Sequence, residues 1–316
     1  MNFGNDTGER VTEFIITGFD HLPHQKLLGF LILITYFLIL LSSSLNVCII
    51  ATDRQLHTPM YIFICNLALA DIIFTTTAST TMISVLLAEV KTISFYSCIS
   101  RMYLYHLCDI TMCLALTLMA ADRTIAITCP LRYHSILTNT RSVVLILLSW
   151  LLGMAALSPV VATANSLPYC QPILKYVFCD YPVLVRAACV NPEDYFLVST
   201  IIALWLLCGQ FPLILSTYVA IIYTIAKLSN TDSRSQVINT CLSHFLVVAC
   251  YYAPKLVSVL LTRVGVQLNL TERNALLIIA TLVPSLINPT VYCLRTKEIR
   301  KRLIKIFSIN SVTVAK

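Results

Sequence analysis

Charge is what this chain has least of. Charged residues make up 12% of 316 positions and hydrophobic ones 58%, whereas soluble domains carry roughly 25% charged residues. So few polar groups cannot cover a water-soluble globule of this length, which excludes an ordinary soluble protein. Glycine is scarce too, with seven in all. There is no phosphate-cradling glycine loop, no Gly-x-Ser-x-Gly and no His-Glu-x-x-His, so no enzyme chemistry is expected. The thirteen cysteines contain no Cys-x-x-Cys pair and no zinc spacing, and no metal or cofactor is expected. No linker, low-complexity tract or repeat divides the chain, so a single unit over 1–316 is expected. The first 25 residues hold no apolar run, so no cleavable signal peptide is expected.

The apolar residues fall in long blocks. About 20 apolar residues in a helix cross the roughly 30 Å hydrocarbon core of a bilayer, and seven such blocks run over 27–52, 59–88, 98–127, 142–164, 195–226, 237–262 and 272–294. The expectation is an all-α membrane protein, a seven-transmembrane helical bundle with the lipid bilayer as its solvent. Arg295, Lys297, Arg300, Lys301, Arg302 and Lys305 crowd the segment after block seven. The positive-inside rule then makes 295–316 a cytoplasmic tail and 1–26 an extracellular N-terminus. Beside a span, such a cluster meets anionic headgroups rather than nucleic acid. Within it Ile299, Leu303, Ile306 and Phe307 recur every three to four residues. That spacing predicts a short amphipathic helix on the inner membrane surface.

Outside the bilayer, Asn5-Asp6-Thr7 and Asn269-Leu270-Thr271 are glycosylation sequons, at Asn5 and Asn269. Cys98, Cys170, Cys179 and Cys189 fall on the same, oxidising side. Four cysteines allow three pairings, and spacing does not choose among them. The other nine read as small buried apolar residues.

Ionisable groups inside a membrane are costly and usually have a role. Three stand out: Asp71 in block two, Asp109 in block three, roughly 16 Å below Cys98 on a helix, and Lys255 in block six. The plainer readings are protonated acids bonded to a neighbouring helix, and a Lys255 stem that snorkels to the interface. The sharper one is a ligand pocket in which Lys255 attracts an acid, or pairs with Asp109 until a ligand releases it. Helix geometry gathers Tyr105, His106 and Asp109 from block three, Ile202 and Leu206 from block five, and Tyr252, Lys255 and Val259 from block six. The set is mostly apolar with a few placed polar groups, as small-molecule sites are. His106 also reads as a neutral interhelical hydrogen-bond partner. At the inner end of block three, adjacent Asp122 and Arg123 suit a local ion pair whose opening frees a guanidinium. Pro254 kinks block six, and Asn288-Pro289-Thr290-Val291-Tyr292 loosens the end of block seven.

Taken in order, these residues resemble the rhodopsin-like, G-protein-coupled receptors: Asn46, Asp71, Asp122-Arg123, Trp150, Tyr218 and Asn288-Pro289-x-x-Tyr292 each fall in the expected span. Within that class the chain is similar to odorant receptors. The stretches that carry this are Val11 to Phe19, His57-Thr58-Pro59-Met60-Tyr61, Ala126 to Tyr133, Thr240-Cys241-Leu242-Ser243-His244, and Phe178-Cys179-Asp180 in a long outer loop with three cysteines. The resemblance implies a plasma-membrane receptor that takes a small-molecule odorant in the outer half of the bundle. Its partner would be a heterotrimeric, stimulatory olfactory-type G protein that raises cyclic AMP. It also implies the disulfides Cys98–Cys179 and Cys170–Cys189 and a polar network of Asn46, Asp71 and Asn288. Coupling would run through Asp122, Arg123, Tyr218, His244, Asn288, Pro289 and Tyr292, with Arg123 turning toward Tyr218 as block six shifts.

Departures from the family pattern are Ala121 and Thr124 around Asp122-Arg123, and Met112 where many members carry glutamate. Asp109, one turn above Met112, offers a carboxylate in its stead. Pro254 is atypical of many mammalian members and resembles fish-type ones and other rhodopsin-like receptors. Two other readings remain: a rhodopsin-like receptor for a non-odorant endogenous ligand, and a transporter. Against a transporter stand the Asp-Arg and Asn-Pro-x-x-Tyr elements and the lack of two repeats with broken helices. A retinal pump would need a lysine in the seventh span, which holds none.

Overall fold

Hydrocarbon gives a spanning backbone nothing to bond but itself, so each long apolar block closes its own helical ladder. The computed structural model describes residues 11–227, 231–263, 268–296 and 298–305; the side chains at 231–236, 239–240, 259, 262–263 and 295 lie outside that description. Among the described residues, seven helices are long and apolar enough to cross a membrane. They are α1 Gln25–Thr52, α2 Pro59–Leu86, α3 Phe95–Thr128, α4 Asn139–Ser166, α5 Glu193–Ala226, α6 Thr231–Arg263 and α7 Leu270–Arg295. The ends differ most from the apolar blocks at α6, which begins at Thr231 rather than 237, and at α3 and α4, which begin at Phe95 rather than 98 and at Asn139 rather than 142. Polar end turns add helix without adding an apolar signal.

Burial sorts the helices. Most of the length of α2 and α3 is buried, from Phe63 to Leu86 and from Cys98 to Asp122, so these two form the centre. In contrast, α1, α4 and α5 expose broad apolar faces that include Phe37, Leu147, Leu151, Ile201 and Ile222. Facing lipid, such side chains lose nothing by staying outside the bundle. Polar contacts tie the helices together where apolar packing cannot set register. The Trp150 indole N–H donates to Asn66 Oδ1 at 2.9 Å, and Asn46 Nδ2 donates to the Pro289 carbonyl at 2.9 Å. In α5, residues Trp205–Gln210 form a π turn, and Gln210 Oε1 accepts from the Thr117 hydroxyl of α3 at 2.9 Å.

At the end of the bundle where α2 meets α3, the chain before α1 does more than trail. It was expected only as a polar segment, yet Glu13–Ile16 forms strand β1, flanked by β2 Thr92–Ser94 and β3 Ile173–Leu174 in the order β2-β1-β3. β1 pairs antiparallel with β2 (Phe14 opposite Ile93) and parallel with β3 (Ile15 opposite Ile173). Alternation follows the pleat: Phe14 and Ile16 are buried while Glu13 and Ile15 are exposed. Phe14 packs on Phe95 and edge-on against Tyr169, with ring centroids 5.9 and 5.2 Å away. Beneath this sheet the α4–α5 loop folds inward as a lid. Cys98–Cys179 bonds it to α3 and Cys170–Cys189 closes a smaller ring. Its short helix Tyr181–Ala187 starts at Asp180, whose Oδ1 accepts from the Tyr181 N–H. Val177, Phe178, Tyr181 and Leu184 are all essentially inaccessible.

At the opposite end, residues 298–305 are helical and dock beside the bundle. Ile299 is buried and Leu303 half-buried, Tyr61 donates to Glu298 at 3.1 Å, and Arg302 pairs with Asp53 at 2.5 Å. Ile306 and Phe307 of the expected amphipathic helix lie outside the described residues, as does the Asn5 sequon. Asn269 is the N-cap of α7: its Oδ1 accepts from the Glu272 N–H and the Glu272 carboxylate accepts from the Asn269 N–H, both at 2.9 Å.

Beyond the β1–β3 pairing, the lid meets the chain just after β1 in a close approach. A Cβ at Gly18 would meet the Tyr176 backbone carbonyl at 2.3 Å, and the Gly18 carbonyl accepts from Asn274 Nδ2 of α7 at 3.0 Å. Backbone cannot yield as a side-chain tip does. Gly18→Ala should therefore cost about 1–3 kcal/mol of stability, read as a lower Tm of the purified protein in lipid nanodiscs. An unchanged Tm would mean that the segment does not dock on the lid.

Candidate functional site

Below the lid, α3, α5, α6 and α7 leave a cavity of about 350 Å³. From α3 come Tyr105 and Asp109, one helical turn apart. Tyr105 is fixed on three sides: it stacks on Phe74 at 4.4 Å, meets Phe178 of the lid at 4.8 Å, and its hydroxyl is 3.1 Å from Thr281 Oγ1 of α7. α5 supplies Ala203, Leu206 and Leu207, and α7 supplies Arg273, Leu276, Leu277 and Ala280, both at helical spacing. Pro254, Lys255 and Ser258 close the wall from α6, and Tyr176 and Asp180 roof it from the lid.

The cavity floor is an ion pair. Lys255 Nζ lies 2.5 Å from Asp109 Oδ1, with both side chains mostly shielded. Tyr251, one turn before Lys255 on α6, donates its hydroxyl to the same Asp109 Oδ1 at 2.9 Å and to the Asp109 carbonyl at 2.8 Å. The Lys255 ammonium also sits 3.7 Å from the centre of the Tyr251 ring. Carboxylate, ammonium and phenol thus form one knot between α3 and α6. Each charge is compensated where hydrocarbon would otherwise make it costly. Lys255 therefore turns inward to α3 rather than snorkelling outward.

Other residues singled out from sequence sit off the cavity wall. His106 points to the lid, with Nε2 2.9 Å from Asp180 Oδ1. Ile202 packs half-buried beside the core, and Ala203 joins Leu206 and Leu207 on the wall in its place, one residue round the helix. Tyr252 lies outside the lining, its hydroxyl 2.9 Å from Cys113 Sγ and its ring 4.7 Å from Phe211. The side chain of Val259 is outside the described residues. Sequence reading missed Tyr251, Asp180, Tyr176 and Arg273. A usable signal existed for two of them: Tyr251 is four residues before Lys255 on one helix face, and Arg273, Leu276, Leu277 and Ala280 repeat at helical spacing.

A second set of polar residues occupies the opposite end. Asp122 accepts from the Tyr133 hydroxyl at 2.7 Å rather than from the adjacent Arg123, so the expected local ion pair gives way to a loop tyrosine. Burial, with the Asp122 carboxylate beside it, pushes the Tyr133 phenol above its ordinary pKa. Tyr218 of α5 is held by α6, its hydroxyl 2.8 Å from His244 Nδ1. Deeper in the bundle Asn288 Nδ2 donates to both carboxylate oxygens of Asp71 at 3.1 and 3.3 Å, and the Cys293 thiol lies 3.1 Å from Asn46 Oδ1. Asn46, Asp71, Asn288 and the Pro289 carbonyl thus link α1, α2 and α7. Among the described residues no cluster of three His, Cys, Asp or Glu side chains is placed to hold a metal ion.

Comparison with known proteins agrees with this architecture. The sequence model of the olfactory receptor family matches residues 32–310. Human olfactory receptor 10G4 is 34% identical over 299 residues, covering 94% of this chain and 95% of that protein. Human olfactory receptor 6N1 is 34% identical over 300 residues, covering 94% and 96%. Mouse olfactory receptor 10D1B is 30% identical over 295 residues, covering 93% and 94%.

The knot on the cavity floor makes a quantitative demand. Removing one partner strands the other charge in an apolar surrounding, so Asp109→Ala or Lys255→Met alone should each cost about 3 kcal/mol. The double variant should cost less than the sum, with a coupling of about 1–3 kcal/mol. Thermal denaturation of the purified protein in nanodiscs measures this; strictly additive losses would mean that the contact is not made.

Proposed function

The chain belongs to the olfactory receptor family, and from that premise we propose that it binds a small organic molecule in the cavity above Asp109 and Lys255 and activates a stimulatory, olfactory-type G protein to raise cyclic AMP. It is a multi-pass plasma-membrane receptor of the odorant type and not an enzyme. In the proposed orientation the lid and N-terminus face outward and the helix at 298–305 faces the cytoplasm. The basic cluster after α7 supports this, as do both disulfides lying at the lid end.

The observation that carries the reading is a cavity walled by four helices whose floor joins α3 to α6 through one carboxylate. A ligand shifts a receptor's equilibrium only through its different affinity for the two states. One that reaches this floor competes for Asp109 or Lys255, and so acts on the contact that holds α6 against α3. Pro254 lies between Tyr251 and Lys255 and leaves the carbonyl of Cys250 without its helical donor, which gives α6 a place to bend. At the cytoplasmic end, motion of α6 carries His244 away from Tyr218 and lets Arg123 turn toward the freed phenol. Asn288, Pro289 and Tyr292 form the adjoining segment of α7 that adjusts with it, against Asp71 of α2, to which Asn288 donates.

Cyclic AMP in cells that carry the receptor and an olfactory-type G protein, with surface labelling as control, tests this. A panel of carboxylic acids, amines, amino acids and neutral volatiles should contain at least one agonist. Its response should fall to background in Arg123→Ala at equal surface density. Silence across the panel, or a response that survives Arg123→Ala, would reject the coupling reading.

A further inference from the structure

The charged groups around the cavity do not all pair with one another, and the one left over names a ligand class. Of the two acids in its wall, Asp109 takes Lys255 and the Tyr251 hydroxyl, and Asp180 takes His106 and the Tyr181 N–H. The remaining cation of the wall is Arg273, in the second turn of α7. Its guanidinium lies over the Tyr176 ring, 4.4 Å from the centroid. That contact uses only the flat face of the group, because the N–H donors point outward in its plane. Its Nε is buried and has no hydrogen-bond partner, and among the described residues Arg273 forms no ion pair with a carboxylate. A buried donor without an acceptor is costly, and on a charged group at the wall of a cavity a bound acceptor would satisfy it. Tyr176 is itself held, its hydroxyl accepting from Arg186 at 2.7 Å, so the ring fixes the plane in which Arg273 presents its donors.

We propose that the cavity recognises an organic carboxylate, its two oxygens taken by the in-plane donors of Arg273 and its hydrocarbon body laid against Leu206, Leu207, Leu276 and Leu277 toward the Asp109–Lys255 floor. This rests on the ligand-binding reading of the same cavity and narrows it. Planar bidentate geometry is what a guanidinium offers a carboxylate and a lysine ammonium does not. An alcohol, ester or aldehyde accepts one hydrogen bond there but leaves the charge uncompensated. An alkyl amine brings a second cation to it.

The test uses the full-length receptor in lipid nanodiscs and measures Tm against straight-chain acids from butanoate to decanoate, a branched acid and phenylacetate. Each is matched by its methyl ester and by the amine of equal length. At least one acid should raise Tm in a saturable way, and at concentrations where its ester and amine do not. Arg273→Gln should weaken that acid by about tenfold to a hundredfold, and Arg273→Lys should retain part of the effect. If Arg273→Gln does not fold, competition between acid and ester on the unaltered receptor still decides the class. Equal or larger shifts from esters or amines overturn the proposal, as does the absence of any acid-selective shift. An acid-selective shift without cyclic AMP would keep the ligand class and reject the coupling reading, so the two failures are distinguishable.

Discussion

A polar group buried in hydrocarbon must find its partner in the protein, because no water reaches it. Nearly every feature of this bundle answers to that demand. Asp109 is met by Lys255 and Tyr251, Asp71 by Asn288, Asn46 by the Pro289 carbonyl, and the Trp150 indole by Asn66. Each contact joins helices far apart in sequence. Apolar side chains do not discriminate between lipid and one another in this way, so packing alone leaves helix rotation and register weakly set. The polar pairs fix them. A conformational change must then exchange partners rather than slide smoothly, which gives the bundle discrete states.

The lid obeys the same demand from above. Its backbone enters the bundle mouth, and an inserted loop carries amides and carbonyls that need partners. Strand β1 supplies some of them: Ile15 N–H bonds the Pro172 carbonyl at 2.7 Å and Thr17 N–H the Leu174 carbonyl at 2.9 Å. Asp180 caps the short loop helix and also receives His106, so one carboxylate anchors the lid to itself and to α3. The Tyr181 hydroxyl donates to the Tyr195 carbonyl and ties the lid to α5. With Cys98–Cys179 holding the lid covalently to α3, the roof of the cavity is set by the same helices that wall it.

The apolar blocks alone were enough to read the seven helices, because a twenty-residue apolar run has few other fates. The deep residues Asp71, Asp109 and Lys255 were legible for a related reason: a charge in hydrocarbon stands out. Helix rotation was not legible. A single residue turns a helix face by about 100°, so Tyr252 was chosen where Tyr251 makes the contact. The same one-residue rotation puts Ala203 on the wall where Ile202 was chosen. Nor does a four-residue strand announce itself when both of its partners lie in distant loops. Nothing in the sequence marks Arg273 apart from other cations near helix ends; only the fold brings Tyr176 over it. The disulfide pairing came from family resemblance, since four cysteines at those spacings permit three arrangements.

The two ends of the bundle are built on opposite terms, and this bears on how a signal crosses it. At the lid end the contacts converge on α3 and are charged: one carboxylate on α3 binds two side chains of α6. At the other end the partners of α3, α5 and α6 are neutral or single hydrogen bonds, Tyr133 on Asp122 and His244 on Tyr218. The neutral Tyr218–His244 bond is worth only about 1 kcal/mol, so it gives way readily once α6 tilts. The charged knot above is the costlier contact to break without replacement. A ligand that offers its own charge or hydrogen bonds there lowers that cost, and the weak latch at Tyr218 follows. Under the proposed function, resistance would sit where the ligand acts and compliance where the partner binds, which is how a small molecule could govern a large surface.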